Sequence, residues 1–320
     1  MIDINAIINI DSQDDFSRKA LESFLFQAEA CPPYREYLSM LGVTASDVSR
    51  AVDIPHIPIE VFRSRKVYCG PQEPEKVFTS STTGGDIPSE HYVKYLEDYR
   101  AVLRKAFSLF YGDPAGWSLY ALLPGYLERE GSSLVWMADD LIKLGGGGFF
   151  LNDYDELLRQ MEADKGEKIL LGVTYALLDL AEKYAPNLSG TVVMETGGMK
   201  GRRQEIPKNE LHRILSNAFG VNKIHSEYGM AELTSQAYSN GDGIFRTPPW
   251  MKVTIRDIND PGTLLPMGKT GGINISDLGN LYSCAFIQTQ DMGYLNPDGS
   301  FVITGRIEGS QTRGCNLLVD

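Results

Sequence analysis

Between residues 76 and 227, short apolar runs alternate with stretches of helical periodicity. This alternation restricts the fold more than any other feature of the sequence. The runs at 76–80, 117–123, 168–172, 191–195 and 223–227 have the length of strands. Helical patterns fill the intervals at about 89–110, 132–144, 153–163, 175–184 and 208–219. Strands joined by helices of ten or more residues return in the same direction, so the pattern predicts a mostly parallel sheet with helices on its faces. The unbroken apolar run at 117–123 suits a strand buried on both sides. The glycine run Gly145 to Gly148 lacks the G-x-G-x-x-G spacing and reads as a hinge or turn.

The flanks have other textures. Phe16, Ala20, Phe24 and Ala28 recur four apart and predict an amphipathic helix over 14–30. Pro32 and Pro33 stop it, because proline donates no amide hydrogen and disfavours helix at its neighbour. A shorter helix follows at 34–41, then an extended linker at 54–58 and a short strand or turn at 59–62. Beyond residue 245, β-like runs at 250–258, 272–277, 285–289 and 301–304 are separated by Asp260-Pro261-Gly262 and Asn296-Pro297-Asp298-Gly299, both strong turn signals. The expected organisation is a helical segment at 1–70, an α/β region at 71–245, an antiparallel β annex at 246–305 and a tail at 306–320.

The formal net charge of −12 disfavours non-specific binding to nucleic acid. Cys31, Cys69, Cys284 and Cys315 contain no C-x-x-C pair, which argues against a disulfide scaffold or structural zinc and fits a reducing compartment. The first three are expected to pack as small hydrophobes. The N-terminus is acidic where a secretory signal would be basic. The longest apolar stretch, 169–178, falls short of the roughly 20 residues that span a bilayer. A cytoplasmic protein with no membrane span is expected.

Four segments carry candidate chemistry. Thr79-Ser80-Ser81-Thr82-Thr83-Gly84-Gly85 offers five hydroxyls and two bare backbone positions between a predicted strand and helix, a composition that suits phosphate oxygens. Taken alone it reads equally as a solvated loop with a helix N-cap, and no Gly-Lys-Ser/Thr follows to make it a Walker loop. His225-Ser226-Glu227-Tyr228-Gly229-Met230-Ala231-Glu232 ends a predicted strand. Glu232 is a carboxylate ligand for Mg²⁺ and Tyr228 a flat face for adenine, if the loop meets a nucleotide; otherwise it is an ordinary strand-to-helix connection. His225 is a candidate lining residue. Thr289-Gln290-Asp291 and Gly305-Arg306 complete the set: Asp291 has the two acceptors that grip a ribose, with Arg306 adding donors.

In this order and spacing the four segments resemble the adenylate-forming superfamily of acyl-CoA ligases, peptide-synthetase adenylation domains and luciferases. Glu195-Thr196-Gly197-Gly198 fits that superfamily's small-residue turn between nucleotide and acyl group, with Met199 beside it. The same segments, with Arg313-Gly314-Cys315, look most like the acyl-protein synthetase (LuxE-like) family of bacterial fatty-acid reductase systems. The resemblance implies an α/β large domain of adenylate-forming type, with parallel sheets, flanking helices and a small antiparallel annex. It implies ATP and Mg²⁺ as cofactors and activation of a carboxylic acid, in that family a fatty acid, as acyl-AMP. It also implies a thioester on Cys315 and passage of the acyl group to an acceptor protein or acyl carrier protein.

The chain departs from the superfamily pattern in three places. Ser81 stands where glycine is usual and no lysine trails the loop. Gln290 replaces the glycine before Asp291. A lid domain with its lysine is not expected after Arg306. Lys200, Arg202 and Arg203 either supply the missing charge or form an exposed basic loop. Direct transfer to coenzyme A, with Cys315 a bystander, and a non-catalytic relative remain as alternatives. The absence of G-x-S-x-G and H-E-x-x-H argues against hydrolase or zincin chemistry. His212 reads as a surface or boundary residue of its helix.

Overall fold

The four apolar residues spaced along 14–30 are buried on one helix in the computed structural model, which describes residues 2–81, 87–124, 131–197 and 206–307. A short helix α1 (Ile4–Ile8) precedes α2 (Gln13–Ala30), whose first turn is capped by the Ser12 hydroxyl accepting from the Asp15 amide. The proline pair that ends α2 also begins α3 (Pro32–Met40), since the missing amide hydrogens fall in a first turn that leaves them unpaired anyway. Gln27 holds α2 to the far end of the chain. Its amide donates to the Asn280 and Leu281 carbonyls, and its oxygen accepts from the Ala285 amide. Residues 59–62 are not a strand: β1 (Ile57–Pro58) precedes them and the helical turn α4 (Val61–Ser64) takes their second half.

The helix expected from about residue 89 starts later. β2 (Lys76–Thr79) and β3 (Glu90–Val93) pair antiparallel as a separate two-stranded sheet, with Phe78 opposite His91, and α5 (Leu96–Tyr111) follows. Along β3, His91 and Val93 are buried while Glu90 is exposed, a two-residue period that the adjacent amphipathic helix masks in the sequence. The Ser/Thr/Gly segment therefore joins two strands of a hairpin, not a strand to a helix.

Next come β4 (Trp117–Leu122), α6 (Ser133–Gly145), β5 (Gly147–Phe150), α7 (Tyr154–Ala163), β6 (Glu167–Val173), α8 (Thr174–Lys183), β7 (Thr191–Thr196), α9 (Lys208–Phe219) and β8 (His225–Tyr228). These strands are parallel, in the order β5-β4-β6-β7-β8. The short strands β9 (Ala237–Ser239) and β10 (Ile244–Arg246) then turn the sheet antiparallel, and β11 (Met251–Arg256), β12 (Gly271–Asp277), β13 (Phe286–Leu295) and β14 (Phe301–Arg306) complete it. The run β8-β9-β10-β14-β13-β12-β11 continues the same sheet, so the antiparallel strands share an edge with the parallel ones. The fold class is α/β, as the alternation predicts.

One apolar core lies under α2, α3 and the antiparallel strands, around Phe24, Tyr34, Trp250 and Phe286. A second lies between the parallel strands and their helices, around Leu103, Leu122, Leu177 and Phe219. Each such side chain contributes about 1.5–3 kcal/mol when fully buried. Cys31, Cys69 and Cys284 pack in the first core. No helix among the described residues is long and apolar enough to cross a membrane.

The glycine run is an approach of two backbones, not a hinge. Gly147 opens β5 at φ +100°, and a Cβ there would lie 2.1 Å from the Leu119 carbonyl oxygen of β4. Substitution Gly147→Ala is expected to destabilise the protein by at least about 2 kcal/mol, through left-handed strain and backbone collision together. The shift of the denaturant midpoint measures it. An unchanged midpoint would show that β5 is not packed in this register.

Candidate active site

Parallel strands bring the residues at their carboxyl ends to one edge, and an open sheet binds ligands there, where its order changes sense. Here that place is the end of β7 and β8, beside the switch to antiparallel β9. A cavity of about 150 Å³ opens at this point. Its walls come from the end of β2 (Thr79, Ser80, Ser81), the start of α6 (Ser132 to Leu134), the end of β7 (Glu195 to Gly197) and the start of α9 (Lys208). The loop after β8 (Tyr228 to Ala231) adds to them, with Met137, Phe245 and Ile303 as apolar flooring. Two helices, α6 and α9, begin at the cavity, and their amino ends favour negative charge within it. Ser80 closes the base of its segment: its amide donates to the Ser89 carbonyl and its hydroxyl accepts from the Ser89 amide.

Of the residues singled out from sequence, Thr79, Ser80, Ser81, Gly197, Tyr228 and Gly229 line this cavity together. Thr82, Thr83, Gly84, Gly85, Gly198, Met199 and Cys315 lie outside the described residues, as do Lys200, Arg202 and Arg203. Asp291 and Arg306 are cross-strand partners on β13 and β14, and they stand behind Tyr228 rather than in the wall. The Tyr228 hydroxyl donates to Asp291 Oδ2 at 2.7 Å, and Arg306 Nε lies 3.7 Å from Asp291 Oδ1. The Arg306 Nη2 donates to Gln290, whereas its buried Nε and Nη1 have no hydrogen-bond partner among the described residues.

Three placements differ from the sequence reading. Tyr228 is only 4% exposed, its ring packed against Phe245 and Phe301 and its hydroxyl spent on Asp291, so it is no open face for adenine. His225 sits at the opposite end of β8, where its Nδ1 pairs with the Tyr111 hydroxyl at 3.1 Å and burial lowers its pKa to about 4; it does not line the cavity. Glu232 has no exposed surface and is not among the lining residues. Among the described residues, no group of three or more His, Cys, Asp or Glu side chains is arranged to hold a metal ion.

The two perturbed carboxyl groups that line the cavity are ones the sequence reading gave no role. Glu195, at the end of β7, is 1% exposed. Burial would raise its pKa, but Lys208 Nζ at 2.6 Å from its Oε1, with His212 Nε2 at 3.5 Å, overrides this and lowers it to about 2. His212 is thus buried against Glu195 and Ser226, not a surface residue. Lys208 and His212 are four apart on α9, one turn on the same face, which is the signal that was available. On the neighbouring strand Glu227 lies in register with Thr196, whose hydroxyl donates to its Oε2 at 2.5 Å. Burial, and to a smaller extent Glu195, raise the Glu227 pKa to about 7, against the hydrogen bond from Thr196. Two neighbouring carboxyl groups are thereby held in different protonation states, a pattern found at acid–base sites.

No protein-family profile matches the chain, and no curated protein matches it in sequence. Solved structures do. An open conformation of 2-hydroxyisobutyryl-CoA ligase in complex with 2-HIB-AMP and CoA superposes with a TM-score of 0.71 at 16% identity, over 93% of this chain and 70% of that one. The chain has the adenylate-forming fold. ATP-bound MatB from Rhodopseudomonas palustris matches at a TM-score of 0.56 and 18% identity, over 72% of this chain and 47% of its own. The amide bond synthetase McbA from Marinactinospora thermotolerans matches at 0.54 and 21%, over 72% and 48%. The chain thus spans about half the length of MatB and McbA.

Removing one partner of a buried ion pair leaves an uncompensated charge, so Lys208→Met should cost about 3–5 kcal/mol in denaturant unfolding, largely recovered when Glu195 is also made Leu. Glu227 has the opposite sign. Its folded pKa lies above the ordinary 4.5, so the native state binds the extra proton between about pH 4.5 and 7, and stability falls as pH rises through that window. Glu227→Gln cannot titrate. Its advantage over the parent should grow across that window and level off above pH 7 at up to about 3 kcal/mol. A stability difference independent of pH would contradict the assignment.

Proposed function

We propose that the protein is an ATP-dependent ligase that activates a carboxylic acid, in the first instance a fatty acid, as acyl-AMP and transfers the acyl group to a thiol. What supports this reading is one observation above the rest. Thr79 to Ser81, Gly197 and Tyr228 to Gly229, far apart in sequence, meet at a single cavity on the carboxyl edge of an adenylate-forming sheet.

In the first step a carboxylate oxygen attacks the α-phosphorus of ATP, the bond to the bridging oxygen breaks, and pyrophosphate leaves with that electron pair. The hydroxyls of Thr79, Ser80 and Ser81 and the amino ends of α6 and α9 face the phosphates. Lys208, in the wall and ion-paired with Glu195, adds an ammonium donor beside them. Gly197 has no side chain to obstruct the acyl group. Asp291 and Arg306 stand behind Tyr228 and are assigned to the ribose side, Asp291 accepting from the Tyr228 hydroxyl and Arg306 carrying two nitrogens with no hydrogen-bond partner among the described residues. Rate enhancement comes from positioning and from charge stabilisation in a site of low polarity. Magnesium would arrive as a ligand of the nucleotide phosphates. No step is assigned to the metal.

In the second step a thiolate attacks the acyl carbon and AMP leaves. Cys315 is the proposed internal thiol, from which an acceptor protein or acyl carrier protein takes the acyl group. Coenzyme A, present with 2-HIB-AMP in the ligase described above, is the alternative direct acceptor.

Exchange of labelled pyrophosphate into ATP should depend on an added acid when short, long and aromatic acids are tested. No exchange with any of them would overturn adenylation. Acid-dependent labelling of the protein should vanish in Cys315→Ala; full product formation by that variant would remove the relay and leave direct transfer. Tyr228→Phe should raise the KM for ATP about tenfold, the equivalent of one hydrogen bond to a charged group, with little change in the KM for acid.

A further inference from the structure

The cavity wall holds an ammonium and a carboxyl group that the reaction as described does not fully use. Lys208 has three donors, of which Glu195 Oε1 at 2.6 Å and Ser226 Oγ at 3.3 Å take two. Its side chain lines the cavity and keeps 13% of its surface exposed. Glu227 also lines the cavity. One of its oxygens, Oε2, accepts from Thr196. The other, Oε1, faces residue 229, where a Cβ would lie 2.5 Å from it. Glycine at that position avoids the contact a Cβ would make with Oε1.

We propose that Lys208 and Glu227 form the subsite that recognises the carboxylate of the incoming acid, Lys208 through its third ammonium donor and Glu227 through a carboxyl O–H on Oε1. The proposal rests on the adenylation reading for its substrate class and specifies where that substrate's anionic head sits.

Charge balance favours this arrangement. Ionised Glu195 and Lys208 already cancel, so a substrate carboxylate brings an unbalanced negative charge into a buried site. If Glu227 were also ionised, two unbalanced negative charges would share the cavity; protonated, it is neutral and a donor. Burial and Glu195 raise its pKa to about 7, so this donor is lost as pH rises above neutrality. The other ionisable groups facing Glu227 do not change charge in that range. These are Tyr99 and Tyr111 of α5 and Tyr238 of β9, whose hydroxyls are pushed up by burial. His212 faces Glu195 rather than Glu227, and His225, held at about 4, is neutral. A simple carboxylic acid is ionised throughout.

Equilibrium dialysis of radiolabelled butyrate, octanoate and benzoate against the full chain, without ATP, from pH 6 to 9 tests the subsite. For an acid that binds, Kd should rise about tenfold per pH unit above pH 7. In Glu227→Gln, which keeps a donor and cannot titrate, Kd should stay near the parent's pH 6 value throughout. Glu227→Asp, with its carboxyl drawn back by one carbon, should bind more weakly at pH 6. A Glu227→Gln profile parallel to the parent's, or Glu227→Asp binding as tightly as the parent, overturns the subsite, whether or not acid-dependent pyrophosphate exchange is present. Absence of exchange, with the Glu227-dependent slope intact, overturns adenylation and leaves the subsite standing. No binding of any of the three acids at any pH overturns the subsite.

Discussion

Glu195 is buried at the end of a central strand, and the arrangement of the cavity follows from that charge. A carboxylate with 1% of its surface exposed survives as an anion only beside a cation, and the cation is the first residue of α9. The pair therefore draws the amino end of α9 to the edge where β7 ends, placing an ammonium and a helix terminus in one wall. His212, one turn along, meets the same oxygen of that carboxylate, Oε1, as Lys208 does. Burial, helped by the negative charge of Glu195 on the adjacent strand, raises the Glu227 pKa, while Lys208 acts in the opposite direction.

The loop after β8 needs separate support, since it carries Gly229 and its neighbours past the cavity without regular structure. Asp277, at the end of β12, provides it. Its Oδ2 accepts from the Thr234 and Ser235 amides, its Oδ1 accepts from the Ser235 hydroxyl, and Trp250 Nε1 donates to that same hydroxyl. Asn280 adds a bond to the Glu232 carbonyl. The antiparallel half of the sheet is thus the anchor for a loop that emerges from the parallel half, so the cavity depends on the two being one sheet. Buried polar networks of this kind rigidify when every member is satisfied.

The sequence shows what depends on local period and hides what depends on distant pairing. The alternation along 117–227 locates the parallel strands β4, β6, β7 and β8 but not β5, and α9 begins and ends where its pattern predicts, because hydrophobic period and strand length are local properties. The hairpin of β2 and β3 escapes, since the four residues of β3 run directly into a long amphipathic helix and their alternation is swamped. The convergence of Ser81, Gly197 and Tyr228 follows from motif order. The Lys208–Glu195 pair does not, because nothing in a lysine at the start of a helix announces that its partner is a buried strand-end glutamate. Tyr228 shows the opposite error. Its place in the motif is informative, but the role a flat ring suggests is excluded by Phe245, Phe301 and the hydroxyl's bond to Asp291, contacts made across up to 73 residues.

Glu227 gives the clearest case for chemistry over architecture. A buried carboxyl group costs stability unless hydrogen bonds or a cation compensate it. Glu195 has Lys208; Glu227 has one hydroxyl from Thr196, and its second oxygen lies against Gly229 in the cavity lining. An apolar residue of similar size would pack in the same place without that cost. A fold gains nothing from an acid held this way, whereas a site that must accept another carboxylate gains a donor that becomes repulsive only above neutral pH.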